Sequence, residues 1–80
     1  MAAYNTYEIS DGAIALTALE KRNWTRFCQL TRINLTEDDR FASPESVSAT
    51  KLKNQLKKIK QNELKELFKE TGQFFTFIRR

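Results

Sequence analysis

The sequence has no histidine, one cysteine, one proline and two glycines among its 80 residues. Without histidine, the commonest general base near neutral pH and the commonest zinc ligand are both missing. The lone Cys28 can form no intrachain disulfide, whereas small secreted domains usually carry several. One cysteine without histidine gives neither a zinc ligand set nor a Cys–His nucleophile pair. Gly12 and Gly72 lie too far apart for a glycine-rich phosphate loop. So little proline and glycine also argues against a collagen-like or low-complexity chain. No apolar run approaches the ~20 residues of a membrane span. The first eight residues have no basic start and no apolar stretch, so no secretory signal is expected. The Asn-x-Thr triplets at Asn23 and Asn34 then read as chance matches to a glycosylation pattern. The expected setting is the cytoplasm: at the nucleoid if the protein binds DNA, or in a host's cytoplasm if it is phage-encoded.

What is present is aromatic and basic. Six Phe, two Tyr and one Trp, within 40% hydrophobic residues, predict one modest core that depends on large rings. A single domain over residues 1–80 is expected, with roughly 5 kcal/mol of stability, and a partner or homodimer is a natural source of more. The net charge of +4 is uneven: residues 1–45 carry −2 and residues 46–80 carry +6. The C-terminal half is therefore the side suited to a polyanion.

Periodicity predicts a mainly α, α+β fold: three to five helices with a short two-stranded sheet made from the N- and C-terminal segments. Tyr4–Ile9 alternates like a strand, as does the aromatic and β-branched segment 73–80. Leu16, Leu19, Trp24, Phe27, Leu30 and Ile33 share one arc at helical spacing, which suits a long helix from about 11 to 33. A break at Asn23 is the alternative. Thr36 followed by Asp39 resembles a capping box and opens one helical turn. Ser43-Pro44-Glu45 predicts the start of a further helix. That helix carries Ala49, Leu52, Leu56 and Ile59 on one face, then breaks or kinks near Gln61-Asn62-Glu63. Gly72 is placed to end the last helix.

No catalytic residues and no cofactor are expected, and the protein reads as a non-enzymatic binding protein. Glu37, Asp38 and Asp39 suit the positive end of a helix better than a metal ion, so no metal site is assigned. Cys28, beside Phe27, is expected to be a buried and inert small residue.

The leading reading is a small nucleic-acid-binding regulator. Lys51, Lys53, Lys57, Lys58 and Lys60 fall within ten residues with no acid among them. They form two rows flanking the Leu52/Leu56/Ile59 seam and can contact phosphates. Asn54 is positioned to read base edges, and Arg79 and Arg80 would add charge. Val47-Ser48-Ala49-Thr50-Lys51-Leu52-Lys53-Asn54-Gln55-Leu56-Lys57-Lys58-Ile59 resembles the recognition helix of bacterial helix-turn-helix and winged-helix regulators. The resemblance covers thirteen residues and implies transcription regulation, with 73–80 as a wing-like strand.

The alternative is a small inhibitor or adaptor, of the kind encoded by phages and mobile elements, that binds a nucleic-acid-handling host protein such as a nuclease or polymerase. Tyr4, Tyr7, Arg40, Phe41, Phe74 and Phe77 would be its anchors if exposed. A membrane-surface role is not expected, because the apolar face of the Lys-rich helix is narrow and lacks aromatic residues.

Overall fold

The computed structural model describes residues 1–72 and 74–78. The order of elements is β1 (Tyr4–Ile9), β2 (Gly12–Thr17), α1 (Lys21–Thr31), a 3-10 turn (Glu37–Phe41), α2 (Val47–Leu56), α3 (Gln61–Leu67) and β3 (Phe75–Ile78). The sheet is antiparallel, three-stranded, and ordered β1-β2-β3. This corrects the expected two-stranded sheet: the strands near the two ends do not pair with each other but each pairs with β2.

The register explains the correction. Tyr7 lies opposite Ile14, and Ile14 opposite Phe77; Asn5 lies opposite Leu16, and Leu16 opposite Phe75. These residues share the face that meets the helices, because successive strand residues alternate between faces. β2 is central and largely buried, with Ala13, Ile14 and Leu16 sequestered. A buried strand loses clean alternation, and its Ala and Leu residues fit a helical arc equally well. The expected helix over 11–33 is therefore strand β2 followed by the shorter α1.

The β1–β2 turn is two residues long, since Ile9 pairs with Gly12. Gly12 has φ +156°, and a Cβ there would lie 2.7 Å from Gln61 Nε2. The turn is docked on the start of α3. The Gln61 backbone N–H donates to Asp11 Oδ1 (2.8 Å), and its side-chain amide donates to the Asp11 carbonyl (2.7 Å). Asp11, fifty residues away in sequence, thus satisfies a free N–H of the α3 N-terminus. Ser10 N–H donates to Ile59 O at 2.8 Å.

Helix α2 starts later than expected. Ser46 is the cap, its Oγ accepting from Ala49 N–H at 3.1 Å. Pro44 and Glu45 instead lie in the turn that precedes it. The expected break is present but earlier: α2 ends at Leu56, five residues before Gln61, and Lys60 precedes the first residue of α3. α3 ends at Leu67, well short of Gly72.

The core is aromatic, as the composition predicts. Phe27 stacks on Phe68 at 5.7 Å between ring centroids, and Phe75 meets Phe68 edge-on at 5.1 Å. Leu52, Leu56, Leu64, Ile14 and Leu16 complete it. These contacts join β2 and β3 to the helices.

Candidate functional site

One concavity lies between α1 and the segment that leaves it. Helix α1 buries Trp24, Phe27 and Cys28 and is closed by Arg32, whose φ of 58° and ψ of 37° are left-handed. The Arg32 N–H reaches back to the Cys28 and Gln29 carbonyls. The chain then turns beside the helix, and Trp24 Nε1 donates to Thr36 O at 2.9 Å. The result is an open cleft of 430 Å³. Leu35, Thr25, Gln29, Arg32, Asn34 and Glu37 line it, and the nearly fully buried Trp24, Cys28 and Ile33 border it.

Asp39 anchors the far wall. Its Oδ2 accepts from Thr36 N–H (2.8 Å) and its Oδ1 from the Ser48 hydroxyl (2.7 Å). The Ser48 hydrogen bond, with smaller help from Thr36 and the Lys51 charge, lowers the Asp39 pKa below the ordinary carboxylate value. Both oxygens are engaged in holding the 3-10 turn against α2. The role of Asp39 seen here is therefore structural, in keeping with the capping turn expected at 36–39. Cys28 is buried; burial, with the Asp39 charge adding, pushes its thiol up to about 11. It is thus protonated at neutral pH, as expected of an inert core cysteine.

The cleft is lined by one cation, Arg32, and one carboxylate, Glu37, whereas Lys21, Arg22 and Arg26 border a separate depression along α1. Residues 21–34 contain Lys21, Arg22, Arg26 and Arg32 and no acid. Glu37, the carboxylate among the lining residues, is paired with Lys21 at 3.2 Å. Lys51 Nζ donates to Asn34 O at 2.8 Å, which brings a cation from α2 to the edge of this segment.

The other expected site residues are dispersed. Lys51, Lys53, Asn54, Lys57, Lys58 and Lys60 are all exposed. Lys53 and Lys57 flank a shallow depression against β1, whereas Lys51, Asn54 and Lys58 line the opposite side of α2. Lys60 belongs to the start of α3 and leaves the row. Arg79 and Arg80 lie outside the described residues. Among the aromatic anchors, Tyr4 and Phe41 are exposed. Arg40 stacks over Phe41, with Cζ 4.3 Å from the ring centroid, and its Nη1 donates to Glu37 O. The Ala3 N–H donates to Arg40 O at 3.0 Å, which ties the start of β1 to this turn. Tyr7 does not join them. It is buried, donates to Ala2 O at 2.6 Å, and burial pushes its pKa up to about 12. Phe74 and Phe77 pack against the aromatic core and are half-buried.

Sequence reasoning missed the cleft residues Trp24, Gln29, Arg32 and Asn34. The available signal was the acid-free cationic run from Lys21 to Arg32, which the denser lysine cluster downstream overshadowed.

The family model of CoA-transferase family III matches the chain over residues 1–80, and the chain belongs to that family. Neither the curated proteins nor the solved structures give a match. Membership in an enzyme family overturns the expectation of a non-catalytic binding protein. The nucleic-acid regulator, the inhibitor or adaptor, and the implied helix-turn-helix role of Val47–Ile59 fall with it. The structure also lacks the expected motif geometry, because α2 is preceded by a 3-10 turn and a proline-containing loop. The missing histidine excluded histidine chemistry, and it was wrong to extend that exclusion to catalysis in general.

Proposed function

We propose that this protein acts in the exchange of coenzyme A between an acyl thioester and a carboxylic acid. The observation that carries the reading is the family match across residues 1–80. The balance is R–CO–S–CoA + R′–COO⁻ → R–COO⁻ + R′–CO–S–CoA. The acceptor carboxylate attacks the thioester carbonyl, the C–S bond breaks, and the CoA thiolate leaves behind a mixed anhydride. The thiolate then attacks the R′ carbonyl, and the C–O bond to R′ breaks to release R–COO⁻. No proton leaves carbon and no electrons change hands, so the reaction needs neither an imidazole base nor a redox group. This chemistry is compatible with a chain that has no histidine.

The charge distribution supports the same reading. Coenzyme A is a polyanion through its diphosphate and ribose phosphate, and the acid-free run Lys21–Asn34 offers it a cationic surface. A cytoplasmic setting is part of this proposal, supported by the single buried, unpaired Cys28. Among the described residues, no helix is long and apolar enough to cross a membrane.

The test is an exchange assay with acetyl-CoA or succinyl-CoA as donor and ¹³C-labelled mono- and dicarboxylates as acceptors, without ATP. Label in a newly formed CoA thioester, read by mass spectrometry, is the expected result. Absence of labelled thioester across the panel, with no CoA binding by calorimetry, would overturn the reading.

A further inference from the structure

We infer that the outer edge of β1 is a docking strip for an extended acidic peptide, which adds there as a fourth strand with its carboxylates against Lys53 and Lys57. The inference stands apart from the proposed CoA exchange and starts from the direction of backbone groups. β1 ends the sheet and has β2 on one side of it. In an antiparallel pair, alternate residues turn both backbone groups to the partner strand, and the residues between turn theirs away. The Ala18 N–H donates to Ala3 O at 2.8 Å. Ala3, Asn5, Tyr7 and Ile9 therefore face β2, and Tyr4, Thr6 and Glu8 face outward. Main-chain bonds of the protein itself occupy the two ends of this edge. Tyr4 N–H donates to Met1 O at 3.1 Å, and Ser10 N–H donates to Ile59 O at 2.8 Å. In the middle, Thr6 N–H is met by the side chain of its own neighbour, Asn5 Oδ1, at 2.8 Å. This solvent-exposed bond exchanges for one to an incoming carbonyl at small net cost, because one hydrogen bond replaces another.

The edge is also recessed and basic. A depression of 250 Å³ is lined by Thr6, Tyr7 and Glu8 of β1 and by Lys53 and Lys57 of α2. Both lysines are exposed, and residues 51–60 hold five lysines and no acid. A strand edge is a template for another strand. A peptide added to it takes affinity from main-chain bonds and selectivity from the side chains on one of its faces. The spacing of charge suits such a peptide. Lys53 and Lys57 are about 6 Å apart along the helix axis, and residues two apart on a strand are separated by about 6.6 Å. Acids at alternate positions of an extended peptide can thus meet both ammonium groups. Glu8 adds one carboxylate to the depression, but it is outnumbered by the two lysines and has an interaction of its own within the protein. The same two lysines disfavour a basic peptide.

The test uses ¹⁵N-labelled protein and short capped peptides. One alternates valine with glutamate, one alternates valine with lysine, and one is the glutamate peptide with every amide N-methylated. The glutamate peptide is expected to bind and to shift the Thr6 and Glu8 amide signals. The lysine and N-methylated peptides are expected to leave them in place. Reversing both charges, Lys53→Glu with Lys57→Glu, should weaken the glutamate peptide about tenfold or more. Lys58→Glu, on the opposite side of α2, should change it by less than about twofold. Thr6→Pro removes the outward N–H without touching the bonds to β2 and should abolish binding; an unfolding curve confirms that this variant is folded. Equal binding of the N-methylated peptide would refute strand addition whatever the variants do. Shifts at β3 instead of Thr6, or no shifts at millimolar peptide, would overturn the site. Thr6 shifts that grow with protein concentration in the absence of peptide would place a second copy of the chain there and overturn the acidic peptide as its occupant.

Discussion

Replacing Gly12 with alanine tests how the hairpin turn is fastened to α3. Two effects act at this position. The φ of +156° is disfavoured for a residue with a Cβ, and the new methyl would lie 2.7 Å from Gln61 Nε2. The backbone effect costs about 1–3 kcal/mol. The steric effect is bounded, because the obstructing atom is the end of a flexible side chain. Gln61 can swing away, and what it then loses is its 2.7 Å bond to the Asp11 carbonyl, worth about 1 kcal/mol. Gly12→Ala should therefore destabilise by about 2–4 kcal/mol. Gln61→Ala should cost about 1 kcal/mol, because its backbone N–H still donates to Asp11 Oδ1. In the double variant the hydrogen bond is lost only once. Its cost should then fall short of the summed single costs by about 1 kcal/mol. Urea unfolding followed by Trp24 fluorescence measures all four corners of the cycle. In a domain of this size the coupling corresponds to about 4–8 °C in melting temperature. Strictly additive costs would refute the steric link between Gly12 and Gln61 and leave backbone strain as the whole effect.

Two further outcomes follow from the titrating groups. Asp39 has a lowered pKa in the folded state, so its stabilisation is present above the ordinary carboxylate value of 3.8 and is lost as pH falls through the lowered value. Asp39→Asn should flatten this acid limb in a pH series of urea midpoints; an unchanged limb would show that the Ser48 and Thr36 contacts do not select the ionised form. Cys28 has the opposite sense: its thiol is raised from 9.0 to about 11, so its contribution is whole below pH 9.0 and declines as pH rises through that interval. At neutral pH the folded protein should react with a disulfide reagent only as fast as it opens, and denaturant should release one reactive thiol at once. Rapid labelling of the folded protein would contradict the burial of Cys28.

Several local features were legible because short-range chemistry dictates them. Thr36 and Asp39 sit at the spacing of a capping turn, and the turn is there. Tyr4–Ile9 and Phe75–Ile78 carry strand-forming residues and are strands. Leu52 and Leu56 mark the buried face of α2, and the lysines beside them are exposed. Gly12–Thr17 was not legible. Its outer face carries Ala13 and Ala15 in place of polar residues, so the strand lacks a clean alternation, and Ala13-Ile14-Ala15-Leu16 continues the apolar arc of the following helix. The Asp11-Gly12 pair is a turn signal, but a helix expected from about residue 11 concealed it. The lysine cluster was legible as charge and misleading as function, because density of charge says nothing about the shape of its ligand.

The sequence by itself therefore determined an aromatic core, strands near both ends, the absence of histidine chemistry and a basic surface. Each of these depends on composition or on neighbours within a few residues. Tertiary structure alone decided that β2 separates the two outer strands, and that Asp11 caps a helix fifty positions away. It also set Arg32 in a left-handed conformation at the edge of the cleft beside α1. Those outcomes depend on which buried surfaces meet after collapse, and contacts between distant residues leave no local period to read.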